Sequence, residues 1–276
     1  MPEFPEVHTF INHLKKQNIL NCAITGVNFI DDKVLKNSNQ SSFKKFIVGE
    51  RFKDINQIGK LIIISLSNDK YLTVHLRMEG KLFFVDSSVK PDKFTMVELI
   101  CKNKKLIYVD FRKFGTFYIY KNKKDLLNSE EVKKLGPQPF DSNLTADYLY
   151  SQLKSKSIAI KTALLDQSII AGIGNIYADE ILFASKINPR RPSKQVSLND
   201  CKNIISACKK IMKSAILHSG TTVSSYAFAP NHAGSFQKFL KVHRKENEHC
   251  SVCKTKIKKI TVNGRGTYYC PKCQAN

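Results

Sequence analysis

The sequence predicts an α+β chain in three parts: a β-rich N-terminal half with one flanking helix, an all-helical stretch, and a cysteine-rich tail. Three observations predict it. Between residues 60 and 120, short apolar runs recur with turn residues between them. Beyond residue 140 the apolar positions switch to helical spacing. Near the end, cysteines occur as two C-x-x-C pairs.

The elements follow in order. Residues 5–17 read as a helix, because Val7, Phe10, Ile11 and Leu14 keep the i, i+3, i+4, i+7 pattern and Pro5 suits a first turn. Runs 60–66 and 71–78 flank Ser67-Asn68-Asp69-Lys70 and read as a hairpin. Further strands are expected at 81–85, 95–101, 106–111 and 116–120. So many short strands with turns between them suggest a sandwich or barrel. Gly136-Pro137-Gln138-Pro139 reads as a linker. Helices are expected at 144–153, 158–166 and 176–184, the last two separated by Ala171-Gly172-Ile173-Gly174-Asn175. Another starts at Ser197, where Asp200 completes a capping box, and Gly220 ends it. The expected domains are 1–136, 137–240 and 241–276. Neither an internal repeat nor a heptad seam is present, so a monomer is expected.

The 276 residues carry a formal net charge of +22, spread along the chain. Such an excess points to a polyanionic partner, with nucleic acid the leading candidate. There is no apolar run long enough for a membrane span, and no basic-then-apolar leader. A cytoplasmic protein is expected. Its eight cysteines are then not a disulfide framework by default.

Cys250-x2-Cys253-x16-Cys270-x2-Cys273 sets two thiols on each of two tight turns, the ligand spacing of tetrahedral zinc. The basic segment between them alternates towards strand, with a turn at Asn263-Gly264-Arg265-Gly266. A zinc-bearing β-hairpin is expected. Four thiolates leave no open coordination position, so one structural Zn2+ is expected. Arg265, at the expected tip, could grip phosphate in bidentate fashion. Cys22, Cys101, Cys201 and Cys208 lack ligand spacing and read as core residues.

The chain opens Met1-Pro2-Glu3-Phe4-Pro5-Glu6-Val7. Removal of Met1, which a small second residue favours, leaves a secondary amine at Pro2. A terminal amine has a reference pKa of about 8, against about 10.4 for lysine, so far more of it is neutral near pH 7. A neutral amine can form a Schiff base with a carbon at the aldehyde oxidation level. Met78, in His75-Leu76-Arg77-Met78-Glu79-Gly80, could act as an apolar wedge between bases. Asp110-Phe111-Arg112-Lys113-Phe114-Gly115 mixes cations with aromatics, which suits stacking and phosphate contact. Taken singly, Met78 and Phe114 read as core residues.

Several motifs occur in one order: Met-Pro-Glu-x-Pro-Glu-Val, Ile58-Gly59-Lys60, Leu76-Arg77-Met78-Glu79-Gly80, Asp110-x-Arg112-Lys113-Phe114-Gly115, Leu165-Asp166-Gln167-x3-Ala171-Gly172-Ile173-Gly174-Asn175-Ile176-Tyr177-Ala178-Asp179-Glu180, and the cysteine hairpin. In this the chain resembles, over essentially its whole length, the formamidopyrimidine-DNA glycosylase family, bacterial enzymes that excise oxidised purines. The resemblance implies an N-terminal β-sandwich with a flanking helix, a helical domain with a helix–two-turn–helix, and a four-cysteine zinc-finger β-hairpin. It implies a bifunctional DNA glycosylase and abasic-site lyase of base excision repair, acting on duplex DNA with a damaged purine such as 8-oxoguanine or a formamidopyrimidine.

The implied roles are these. Pro2 is the nucleophile at the sugar's anomeric carbon, and Glu3 the general acid/base. Glu6 orders the site and Lys60 holds phosphate. Met78, Arg112 and Phe114 fill the gap left by the flipped nucleotide and face the orphaned base. Asn175 and Arg265 clamp phosphates. Two departures bear on lesion preference: Thr221-Thr222-Val223 is followed by Ser224-Ser225 where the family usually carries arginine, and Val242-His243-Arg244-Lys245 replaces Val-Tyr-Gly-Arg. The loop 220–237 suits capture of an everted purine. The alternatives are an endonuclease VIII-like glycosylase for oxidised pyrimidines and a non-catalytic zinc-containing DNA-binding protein. Pro2-Glu3 favours an enzyme over the latter, and Phe4 and Arg112–Phe114 favour the purine branch.

Overall fold

The computed structural model describes residues 1–222 and 233–275. The chain divides into two compact units: Met1–Lys133 with Ser219–Ser235, and Lys134–His218 with Phe236–Asn276.

The first unit is a β-sandwich. One antiparallel sheet has the order β1 (Gly26–Phe29), β6 (Thr95–Ile100), β7 (Lys104–Val109), β5 (Lys81–Asp86). The other runs β2 (Phe52–Ile58), β3 (Leu61–Leu66), β4 (Tyr71–His75), β8 (Thr116–Tyr120). Ile62, Ile64, Leu72, Val74 and Phe117 of one sheet share a core with Leu82, Phe84, Val97, Leu99 and Leu106 of the other. Helix α1 (Phe4–Lys16) starts where Pro5 predicts and seals one side of this core with Val7, Phe10, Ile11 and Leu14. Each of these is a large side chain whose removal from water is worth about 1.5–3 kcal/mol. On the outer face of the second sheet, Leu61 and Ile63 meet Leu126 of α3 (Lys123–Leu127) and Val132.

Two turns aim functional segments. Ile58 pairs with Leu61, leaving Gly59 and Lys60 as a two-residue hairpin turn with Gly59 at φ 59°. That is the geometry in which the first central residue must tolerate positive φ. Asn68 and Asp69, both at positive φ, turn β3 into β4 as the sequence predicts.

Four elements of this unit were not legible in the sequence: β1, α2 (Gln40–Ile47), β2 and α3. Strand β1 is four residues long, and β2 carries a bulge between Phe52 and Asp54 that breaks the alternation.

The second unit holds α4 (Ala146–Leu153), α5 (Ile160–Leu165), α6 (Asn175–Ala184) and α7 (Leu198–Leu217), followed by the hairpin β9 (Lys258–Val262) and β10 (Arg265–Tyr269). Ser197 caps α7, and the Ser197–Asp200 capping box is present. Asn263 at φ 46° and Gly264 at φ 72° make the β9–β10 turn. The expected turn therefore shifts: Arg265 is not in it but opens β10 directly after it.

Candidate active site

The N-terminal corner gathers buried charge. Pro2 is buried, and Glu3 and Glu6 are each 3 % exposed. Glu3 precedes α1, and its backbone N–H donates to Glu6 Oε2 at 2.9 Å. The other Glu6 oxygen accepts from the Thr221 N–H at 2.8 Å. One carboxylate thus ties the start of the chain to a segment 215 residues later. Gly220, beside it, has φ +77°, and a Cβ there would lie 2.7 Å from Glu6 Oε1. Gly220→Ala should therefore cost about 2 kcal/mol from left-handed backbone and displacement of Glu6. A fall in the urea midpoint checks this; an unchanged midpoint would mean that Glu6 swings aside freely.

The terminal amine, on Met1 here, has its pKa lowered. Burial is the largest cause and Lys60 adds to it, while Glu3, Glu6 and Glu79 act against it. Lys60 sits on the β2–β3 turn and is itself buried.

His75 was not singled out from the sequence. It pairs with Leu61, next to Lys60 in the chain. Burial, then Arg77 and Lys60, push its pKa down to about 3, so the ring is neutral. Its Nδ1 accepts the Arg77 N–H at 3.0 Å, so the ring proton resides on Nε2. The site thereby gains an uncharged N–H donor beside a lysine. A histidine at the end of a predicted strand that pairs with the Lys60 turn was the available signal.

Two loops expose apolar side chains. Met78 is 39 % and Phe114 52 % exposed, so neither is the core residue its type suggests. The Arg112 guanidinium lies over the Phe114 ring, 4.7 Å from its centroid. Asp110, fully buried, builds this loop: it accepts the N–H groups of Arg112, Phe114 and Gly115 at 2.9–3.0 Å and the Tyr108 hydroxyl at 3.0 Å. Gly115 is needed there, since a Cβ would collide with that hydroxyl.

In the second unit, Gln167 shapes the turn before α6. Its amide donates to the Leu165 and Ile173 carbonyls and accepts from the Gly172 N–H. Asn175 is the first residue of α6, and its Nδ2 donates to the Gly266 carbonyl at 3.0 Å. Asn175 and the Arg265 strand are thus linked directly. Lys161, wholly buried, donates to the same carbonyl at 3.1 Å, to Thr267 Oγ1 at 2.8 Å and to Asp179 Oδ1 at 2.7 Å. Asp179 Oδ2 lies 2.7 Å from His243 Nδ1. Glu180, next in the chain, accepts three consecutive N–H groups from Lys241, Val242 and His243 at 2.8–2.9 Å. The sequence hid this network, because its members lie up to 106 residues apart.

The four paired cysteines converge, all Sγ atoms lying within 4.8 Å of one another. Tetrahedral zinc with Zn–S near 2.3 Å requires S···S edges of about 3.8 Å; Cys250–Cys273 stand at 3.8 Å and Cys253–Cys270 at 3.3 Å. The Val252 and Cys273 N–H groups point at sulfur, which favours thiolates. The cluster fits one structural zinc. The remaining cysteines behave as core: Cys101, Cys201 and Cys208 are buried, and Cys22 is half-buried against the sandwich core.

Comparison with known proteins agrees with this geometry. Residues 1–117 match the formamidopyrimidine-DNA glycosylase N-terminal domain, 135–227 the formamidopyrimidine-DNA glycosylase H2TH domain, and 247–276 the zinc finger found in FPG and IleRS. The chain is 42 % identical to the formamidopyrimidine-DNA glycosylase of Ureaplasma parvum, over 99 % of this chain and all of that one. It is 36 % identical to the Bacillus cereus enzyme, covering 99 % of both. A Lactococcus lactis FPG mutant, crystallised with a Fapy-dG containing DNA, superposes with a TM-score of 0.94 at 32 % identity over the full length of both chains. Another Lactococcus complex, with an abasic site containing DNA, gives 0.93 at 32 % identity, over 99 % of this chain and all of that one. A sandwich with buried carboxylates at its N-terminal corner, a glycine-turned helix pair and a four-thiol hairpin define a zinc-finger DNA glycosylase of DNA repair. The chain belongs to the formamidopyrimidine-DNA glycosylase family.

Proposed function

We propose that this protein excises oxidised purines, 8-oxoguanine and formamidopyrimidines, from duplex DNA and then cleaves the abasic strand. The observation that carries this reading is the N-terminal corner: Pro2 is buried with Glu3, Glu6 and Lys60, in a place where burial makes the Met1 amine less basic. After Met1 is removed, the amine belongs to Pro2. Its nitrogen attacks C1′ as the bond to the base breaks, and the base leaves with a proton. Glu3 protonates the sugar ring oxygen, the ring opens, and an iminium forms between Pro2 and C1′. A secondary amine gives an iminium that is positively charged at every pH, an electron sink for two successive eliminations. Loss of a proton from C2′ expels the 3′ phosphate, and a second elimination expels the 5′ phosphate.

The other residues bind and orient. Lys60, Asn175 and Arg265 hold phosphates, for which a bidentate guanidinium is well suited. Met78, Arg112 and Phe114 fill the space vacated by the flipped nucleotide. Glu6 holds the Glu3 backbone. Zinc keeps the hairpin folded and takes no part in the chemistry. The net charge of +22 supports binding to DNA. Among the described residues no helix is long and apolar enough to cross a membrane.

The test is reductive trapping. Protein confirmed to lack Met1, incubated with an 8-oxoguanine:cytosine duplex and cyanoborohydride, should become covalently joined to DNA through Pro2. The pH profile tests the cause. A protonated amine is inert, and the burial that lowers the Met1 amine extends to Pro2, so the acid limb of the trapping rate should lie at lower pH than the titration of an exposed prolyl terminus in a Pro-Glu-Phe peptide. A midpoint at or above that of the peptide would remove the argument from burial, and absence of any adduct would sink the mechanism. A duplex bearing an oxidised pyrimidine, run in parallel, separates the purine reading from the pyrimidine one.

A further inference from the structure

Phe111 is 63 % exposed, more than Phe114 or Met78, although it lies on the rigid Asp110 loop. Its ring meets the half-buried Phe94 edge-on, with centroids 5.0 Å apart and planes at 74°. Phe94 is itself fixed. Its carbonyl accepts the Asp110 N–H at 3.0 Å, and its own N–H donates to Asp92 Oδ1 at 2.8 Å. That carboxylate also accepts the Thr95 hydroxyl, so the turn 92–95 is closed on itself. Lys93 projects over the Phe94 ring, its ammonium 5.1 Å from the centroid. Lys113, on the same loop, is held by Asp31 at 2.8 Å. A braced aromatic pair, presented on a turn and bordered by an ammonium, is an arrangement that stacks on a nucleic acid while meeting its phosphate.

We propose that Phe111, backed by Phe94 and flanked by Lys93, is an additional DNA contact that grips the undamaged strand beside the orphaned base. The inference rests on the reading of Arg112 and Phe114 as the residues that face that gap. Phe111 precedes Arg112 in the chain, so the aromatic surface continues the candidate interface along one loop. The ring takes a base or sugar face, and Lys93 takes the adjacent phosphate. The contact is apolar in one part and ionic in the other, so the two parts separate in a salt titration.

The experiment uses the full chain and a duplex carrying a tetrahydrofuran abasic analogue, with binding followed by fluorescence anisotropy across a salt series. Phe111→Ala should weaken binding roughly tenfold with the salt slope unchanged. Phe111→Trp should restore it. Lys93→Ala should lower the slope by about 0.9, the release of one counterion. A 2-aminopurine beside the orphaned base should lose part of its binding-induced fluorescence change in Phe111→Ala but not in Lys93→Ala. Because Phe111 is so exposed, thermal unfolding of Phe111→Ala should match wild type. Binding of Phe111→Ala within twofold of wild type overturns the proposal. If Phe114→Ala and Arg112→Ala still weaken binding, the failure is that of Phe111 alone; if they too are silent, the reading of the loop falls with it.

Discussion

Glu3→Gln will leave DNA affinity within about threefold of wild type while base release falls by between ~10² and ~10⁴, the range in which a positioned proton donor contributes. The substitution keeps the shape of the side chain and its capacity to accept hydrogen bonds, and removes the transferable proton. The Glu3 backbone N–H still meets Glu6 Oε2, so the helix start should survive. Single-turnover release of 8-oxoguanine measures the loss, and anisotropy with the abasic analogue measures binding. Equal losses in both would make Glu3 a structural residue. A preformed abasic duplex adds a further check. Its sugar already lacks the base, so reductive trapping through Pro2 should be less impaired there than base release.

Lys161→Met will destabilise the helical unit by about 3–5 kcal/mol, because it strands Asp179 as a buried charge with one ammonium partner gone. Lys161 and Asp179 side chains are both 0 % exposed. Among the described residues Asp179 would keep His243 Nδ1 at 2.7 Å and the Tyr268 N–H at 3.3 Å. The cost should lower the thermal midpoint by ~10 °C or more. Adding Asp179→Asn should recover part of the loss, since the uncompensated charge is removed with it. A double variant no better than Lys161→Met would show that packing of the lysine stem, not the ion pair, dominates. The same lysine holds the Gly266 carbonyl shared with Asn175, so the β10 start should shift relative to α6 within that unit.

Helices α1 and α4 to α7 and the cysteine hairpin were legible because their signals are local, whereas α2 and α3 were not. Val7, Phe10, Ile11 and Leu14 announce the buried face of α1, and Ser197 with Asp200 announces the start of α7. Strands β3 to β8 were legible as apolar runs. Strand β2 was not, since Phe52–Ile58 contains Lys53, Asp54, Asn56 and Gln57 and buries only Phe52 and Ile55 fully. Met78 and Phe114 illustrate a different difficulty: residue type argues for burial, and only the loop built by Asp110 exposes Phe114. Lys161 shows the reverse. A lysine in the run Ile158 to Leu165 reads as a solvated face, yet its partners Asp179 and Thr267 are distant in sequence and bring it wholly inside. Local pattern cannot report a charge whose compensation arrives from elsewhere in the chain.

The Glu6–Thr221 hydrogen bond also sets a schedule. The N-terminal corner is the first part made, but the amide that donates to its Glu6 carboxylate comes 215 residues later. At about 5–20 residues per second, that interval is roughly 10–40 s of synthesis. Throughout it, the ribosome carries a chain whose first helix can form while Glu6 still lacks the Thr221 amide. The buried N-terminal corner is therefore completed only when the polypeptide is nearly finished.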